Sequence, residues 1–293
     1  MRTILYGKET TDSNPASFQQ IVNLLYKYSS EVFICEDTYQ SIADKIKFPS
    51  QANRIRQASE VSGGADFLIS VGGDGTFLDS LTTIGSSGLP VLGINTGRLG
   101  FLSSVNIEHA ERALVMLKDK EYSVTRRKLL QLHPNLFSGE NCALNDICIQ
   151  RIHGTSNMIT IDVIVDKEYM NTYWCDGLII ATPTGSTAYS LGCGGPIIVP
   201  NAEVFVLTPI ASHSLTVRPV IIPSDSEIEI KVHSRNQQFL LSMDSSSKII
   251  GTETCIQISQ SRFSVNIVSL NGQNFYKTIR EKLMWGMDRR KIE

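Results

Sequence analysis

The sequence has no excess of charge of either sign. Twenty-seven lysines and arginines face 29 acids, with five histidines, for a formal net charge of −2. Chains that hold nucleic acid or anionic membrane through general electrostatics carry a basic excess, so neither partner is expected here. There is no C-x-x-C pair. Cys35, Cys142, Cys148, Cys175, Cys193 and Cys255 stand singly, and the histidines do not gather around them, which excludes the usual zinc spacing. No uncharged apolar run approaches the roughly 18 residues that a membrane-crossing helix needs. The opening Met1-Arg2-Thr3-Ile4-Leu5-Tyr6-Gly7-Lys8 is too short in apolar residues for a secretory h-region. A cytoplasmic location with reduced thiols is therefore expected.

Hydrophobic residues make up 42% of the 293 and charged residues 19%, a globular composition long enough for one large domain or two ordinary ones. The first third alternates strand and helix signals. Thr3 to Tyr6, Val32 to Cys35, Phe67 to Val71 and Val91 to Ile94 are compact apolar runs. Phe18, Ile21, Val22 and Leu25 recur at helical spacing, as do Ile107, Ala110, Leu114 and Leu117. This predicts a parallel sheet with helices on its faces over residues 1–120. From 121 to 271 strand-like runs follow one another, among them Ile159 to Val165, Gly177 to Ile180, Val204 to Leu207, Ile228 to Val232 and Phe263 to Val268. These predict an all-β sandwich. Phe275, Ile279 and Leu283 mark a final helix within 272–293.

Four motifs carry chemistry. Gly72-Gly73-Asp74-Gly75-Thr76 follows the strand ending at Val71, where glycines let a backbone turn tightly and let a phosphate approach its N–H groups. Asp74 is its only ionisable side chain. Two readings stay open: a phosphate cradle, or an ordinary strand-to-helix turn with Asp74 as N-cap. Neither G-x-x-x-x-G-K-[ST] nor G-x-G-x-x-G occurs at this turn. Asn95-Thr96-Gly97-Arg98-Leu99-Gly100-Phe101 follows another predicted strand, which places it near the same sheet edge. Leu144-Asn145-Asp146-Ile147 sets an amide beside a carboxylate, a common turn composition. From Asp176-Gly177 the chain enters Thr182-Pro183-Thr184-Gly185-Ser186-Thr187-Ala188-Tyr189-Ser190, closed by Gly194-Gly195-Pro196. A loop of small residues and hydroxyls can lie against a planar ring and offer many donors and acceptors.

Taken together, in this order, the four motifs resemble those of the NAD kinase family, bacterial type. His213, Asp244 and the tail Lys282-Leu283-Met284-Trp285-Gly286 agree with it, so the likeness runs over nearly the whole chain. The G-G-D-G-T turn is shared with lipid kinases and phosphofructokinases; the T-P-T-G-S-T-A-Y-S stretch is specific. The resemblance implies a Rossmann-like N-terminal domain, a β-sandwich C-terminal domain and a last helix returning to the first. It implies ATP as co-substrate with a divalent metal, usually Mg²⁺, no metal held by dedicated residues, and a homotetramer or homodimer. By the same resemblance, Asp74 sits at the 2′-hydroxyl of NAD as base. Gly72, Gly73, Gly75, Thr76 and Arg127 meet phosphates, and Gly75 and Phe101 also line the dinucleotide. Asn145 and Asp146 hold ribose hydroxyls, and Thr187, Ala188 and Tyr189 frame the adenine. Asp176 meets the nicotinamide carboxamide, and His213 and Asp244 complete the dinucleotide set. Two positions depart from the family pattern: Asp146 stands where glutamate is commoner, and Gly192 where many relatives carry serine. A lipid kinase would need an apolar acyl pocket in place of the loop around Ser186. A dinucleotide sensor without catalysis would have no use for Asp74.

Overall fold

The computed structural model describes residues 1–8, 15–48, 52–97, 100–152, 154, 157–271 and 274–285. Arg98 and Leu99 of the second motif, Gly286 of the tail, and the ends of the expected segment 272–293 lie outside the described residues. The chain forms two compact units, one of residues 1–125 with 266–293, the other of 126–265. It passes from one to the other inside two strands, so no loop or change of composition marks the crossing.

In the first unit, strands β1 (Arg2–Gly7), β2 (Glu31–Cys35), β3 (Asn53–Ile55), β4 (Phe67–Val71) and β5 (Val91–Asn95) form a parallel sheet in the order β3, β2, β1, β4, β5. The short β6 (Val105–Asn106) continues it beside β5. Every residue of β4 and β5 is buried, which explains why these strands read as unbroken apolar runs rather than as alternation. Helices α1 (Pro15–Tyr28), α2 (Glu36–Ile42), α3 (Asp74–Ile84) and α4 (Ala110–Lys118) connect them. Phe18, Ile21, Val22 and Leu25 are the buried face of α1, as their spacing predicts. Ala110, Leu114 and Leu117 are buried in α4, whereas Ile107 falls in the 3₁₀ turn before it. The C-terminal helix Phe275–Leu283 belongs to this unit and buries Ile279; Leu283 is exposed.

The second unit is a sandwich. Its first layer contains β7 (Tyr122–His133, from Arg126 onward), β8 (Cys142–Ala143), β10 (Ile159–Val165), β11 (Glu168–Cys175), β15 (Ile228–His233) and the first part of β18 (Ile256–Leu270). The second runs β14 (Val220–Pro223), β13 (Val204–Ile210), β12 (Gly177–Ala181), β9 (Asp146–Gln150), β16 (Gln238–Met243) and β17 (Ser246–Gly251). The strands pair antiparallel: β10 with β11 and β15, β12 with β9 and β13, β13 with β14, β15 with β18, β16 with β9 and β17, and β7 with β8. Inward residues of the two layers, among them Ile161, Ile230, Ile149, Ile180 and Phe239, form one core. Beyond the second layer Cys148, Ile179, Ala181 and Val206 pack with Ile198, which covers their outer face with the segment after β12.

Candidate active site

The glycine turn sits at the carboxyl end of β4. Gly72 has φ 147°, a conformation that L residues rarely adopt, and a Cβ there would collide with the Thr76 hydroxyl. Gly73 and Gly75 differ: a Cβ on either would meet nothing within 4 Å. Internal packing does not require those two glycines, so their bare backbone faces open space. Phe77 is the first residue whose N–H reaches back to a turn carbonyl, that of Gly73 at 3.0 Å. The N–H groups of Asp74, Gly75 and Thr76 therefore open the helix at its positive end, the arrangement that favours anions. The Thr76 side chain is buried beneath Gly72, which leaves its backbone N–H, not its hydroxyl, as the group available to a phosphate.

Asp74 does not cap its own helix; Gly73 occupies that position. The Asp74 carboxylate instead takes three backbone N–H groups of the second motif. Phe101 donates to Oδ2 at 2.7 Å, and Leu102 and Ser103 donate to Oδ1 at 3.1 and 2.9 Å. Gly100 lies so close to this carboxylate that any Cβ would overlap it. The two glycine-bearing motifs are thus one construction. A carboxylate accepts about four hydrogen bonds, so one direction, on Oδ2, remains for a further donor.

In the second unit, Asn145 and Asp146 are held from both sides of their backbone. Leu144, Asn145 and Asp146 donate their N–H groups to the Asp244 carboxylate at 2.8, 2.8 and 3.2 Å, and the Asp244 N–H returns to the Asp146 carbonyl at 3.0 Å. Asp244 has φ 48°, a left-handed conformation that aspartate tolerates better than most residues. On the carbonyl side, the Thr182 hydroxyl donates to Leu144 at 2.5 Å and its N–H to Asn145 at 2.9 Å. A Cβ on Gly185 would overlap the Asn145 carbonyl. The Asp146 carboxyl is buried, finds no hydrogen-bond donor among the described residues, and is pushed up to about 7 by burial and then by the Asp244 charge. Burial also raises Asp244, to about 6, against the lowering effect of its three N–H donors.

The Asp244 carboxylate is engaged by the backbone N–H groups of residues 144–146. In the small-residue loop several hydroxyls turn inward. Thr182, Ser186 and Ser190 are buried, with Ser186 donating to Pro183 at 2.7 Å and accepting from Ile198 at 3.0 Å, and Ser190 bonded to Thr208 at 2.8 Å. They shape the loop. What the loop leaves accessible is Thr187, Ala188 and Tyr189, the last exposed and bonded through its hydroxyl to Gln150 at 2.8 Å. A Cβ at Gly192 would meet open space, so the serine of relatives would fit there.

Asp176 precedes β12 and pairs with Arg151 at 2.7 Å while staying about one-third exposed. His213 is exposed beside Trp174, whose carbonyl accepts its N–H at 2.8 Å. Arg127 is half-buried, and its Nε and Nη1 have no partner among the described residues; burial lowers its pKa to about 10. Sequence reasoning missed Thr182, Gly100 and Arg151 as positioning residues. For Gly100, its place in the Thr96-Gly97-Arg98-Leu99-Gly100-Phe101 segment was the available signal.

Comparison with known proteins places this architecture. The ATP-NAD kinase N-terminal domain model matches residues 11–122, and the ATP-NAD kinase C-terminal domain model matches residues 144–270. The chain belongs to the ATP-NAD kinase family. Among its relatives, the NAD kinase of Flavobacterium psychrophilum is 38% identical over 99% of this chain and 100% of its own length. That of Christiangramia forsetii is 39% identical over the same shares. The crystal structure of an NAD kinase from Archaeoglobus fulgidus in complex with ATP superposes with a TM-score of 0.74 at 26% identity, covering 97% of this chain and 99% of that one. Yeast NADH kinase complexed with NADH gives 0.87 at 24% identity over 100% of this chain and 90% of that one, a likeness of fold. The family's fold is therefore the one described above, a parallel α/β unit and an antiparallel all-β unit.

Proposed function

We infer that this chain transfers the terminal phosphoryl group of ATP to the 2′-hydroxyl of the adenosine ribose of NAD, giving NADP. The observation that carries this reading is the Asp74 carboxylate, fixed by three backbone N–H groups at the start of α3 with one acceptor direction left. That direction takes the ribose hydroxyl. The 2′-oxygen bonds to the terminal phosphorus, the bond to the bridging oxygen breaks, the proton passes to Asp74 and ADP leaves. Phosphoryl transfer asks the protein chiefly for alignment and charge stabilisation. The open backbone at Gly73 and Gly75 and the first N–H groups of α3 supply the phosphate contacts. Phe101 and Gly75 stand beside Asp74 as dinucleotide contacts.

Asn145 and Asp146 bind the ribose hydroxyls, with Asp244 and Thr182 holding their backbone. Thr187, Ala188 and Tyr189 frame the adenine, and Asp176 and His213 address the nicotinamide end. The unpaired nitrogens of Arg127 suit a phosphate oxygen. Among the described residues no group of three or more His, Cys, Asp or Glu side chains is arranged to hold a metal ion. From the family likeness, a divalent metal, usually Mg²⁺, would be brought in with ATP as part of the substrate. No helix among the described residues is long and apolar enough to cross a membrane. We place the enzyme in the cytoplasm as a homotetramer or homodimer, from its family likeness. Purified protein incubated with ATP, Mg²⁺ and NAD forms NADP on this reading. A lipid kinase would form none, and a sensor would bind NAD without turnover.

A further inference from the structure

The tail segment around Lys282 has no role in the reading above, yet its lysine is placed deliberately. Lys282 lies in the last turn of the C-terminal helix, three residues after Ile279, the helix's buried anchor, and so on the same side. Its ammonium sits 5.0 Å from the centroid of the Phe101 ring. Phe101 is the residue whose N–H is bonded to Asp74 Oδ2 at 2.7 Å. Lys282 has no ion pair and no hydrogen bond among the described residues, whereas Lys277, on the same helix, pairs with Glu281. Burial draws the Lys282 pKa down, and the Asp74 carboxylate is the charge that opposes this.

An ammonium that is partly stripped of water and carries no counter-ion is costly unless an anion arrives. The ring face of Phe101 supplies a weak partner, worth less than a charge-assisted hydrogen bond. At this position the arriving anion is defined by the chemistry at Asp74. A hydroxyl bonded to the free direction of Oδ2 stands next to the phosphorus it attacks. The oxygens of the transferred phosphoryl group would therefore lie within one side chain's reach of Asp74, and Lys282 stands against Phe101, the residue bonded to that same oxygen.

We propose that Lys282 is a further catalytic residue, which contacts an oxygen of the phosphoryl group being transferred and balances its charge while the 2′-oxygen forms its bond and ADP departs. Phe101 parks the ammonium until ATP is present. The proposal rests on the NAD kinase reading above. Lys282 does not touch the dinucleotide in this scheme, so its removal lowers turnover and leaves KM for NAD unchanged. Its position on a helix distant in sequence from the glycine turn explains why motif reading passed over it.

The test compares the parent enzyme with Lys282→Met, which keeps the stem and removes the charge, and with Lys282→Arg, which keeps the charge. Each is assayed for NADP formation with ATP and NAD varied in turn, and for melting temperature. The expected result is a loss of roughly 10- to 100-fold in kcat/KM for ATP in Lys282→Met, the scale of a lost charge-assisted hydrogen bond. KM for NAD and the melting temperature stay at parent values, and Lys282→Arg recovers most of the loss. Unchanged ATP kinetics in Lys282→Met overturn the proposal. So does an equal loss toward both substrates accompanied by a lower melting temperature, which would make Lys282 a packing residue. A parent enzyme that forms no NADP defeats the function reading itself, and the parent arm alone shows it.

Discussion

Asp146 is a buried acid without a donor among the described residues, and its neighbour Asp244 is a partly buried acid with three. The contrast assigns their charges. Asp244 holds its ionised form through the backbone, and its field and the burial keep Asp146 protonated to higher pH. Asp146 binds protons in the folded state between its unfolded pKa, about 3.9, and about 7. The folded state then holds more protons than the unfolded one, so stability contributed by this group falls as pH rises across that window. Urea unfolding of the parent should show that fall, and Asp146→Asn should reduce it, chiefly between about pH 6 and 7, above the window in which Asp244, raised to about 6, contributes a fall of the same sign. Because the ionised form is the stronger acceptor for a ribose hydroxyl, KM for NAD should decrease as pH passes about 7 in the parent and lose that dependence in the variant. A variant with the parent's pH profile for both quantities would remove Asp146 from the ligand set. Asp244→Ala should be worse in stability than any of these. It strands three N–H groups at a left-handed position, a cost of at least about 2 kcal/mol, measurable as a lower urea midpoint.

At the scale of elements, the loop after β12 is tied down by internal hydrogen bonds, and its tip is the part we propose to meet the adenine. Thr182, Gly185, Ser186 and Ser190 face the protein, and Tyr189 faces outward. Tyr189→Ala should therefore weaken NAD binding by about 0.5–1.5 kcal/mol beyond lost area, with ATP binding unchanged, as read by calorimetry. Thr182→Val should do more damage to NAD binding than its distance from any ligand suggests. It removes the hydroxyl that donates to the Leu144 carbonyl and so loosens Asn145. The elements themselves were legible in the sequence: the α1 stripe Phe18, Ile21, Val22, Leu25 and the doubly buried β4 and β5 carry their own periodicity. The direction of each loop hydroxyl was not. A serine that donates to Pro183 and one that would donate to a ligand read alike, because tertiary packing decides which way it points. The partners of Asp244 were not legible for a related reason: they lie about a hundred residues away, and only the pairing of β9 with β16 brings them to it.

At the scale of the molecule, each unit carries a self-contained device. The first fixes a carboxylate and an open glycine backbone at the head of a helix; the second fixes an amide–acid pair and a small-residue loop. The account turns on the claim that Asp74 is the base for the ribose hydroxyl. Asp74→Asn keeps the shape of the side chain and removes its ability to accept a proton. The direct measurement is the turnover number for NADP formation by this variant, with NAD affinity measured alongside. The account predicts a fall of about 10²–10⁴-fold with NAD affinity largely kept. Turnover near that of the parent would contradict it and leave Asp74 as no more than the tie that holds the Phe101 loop.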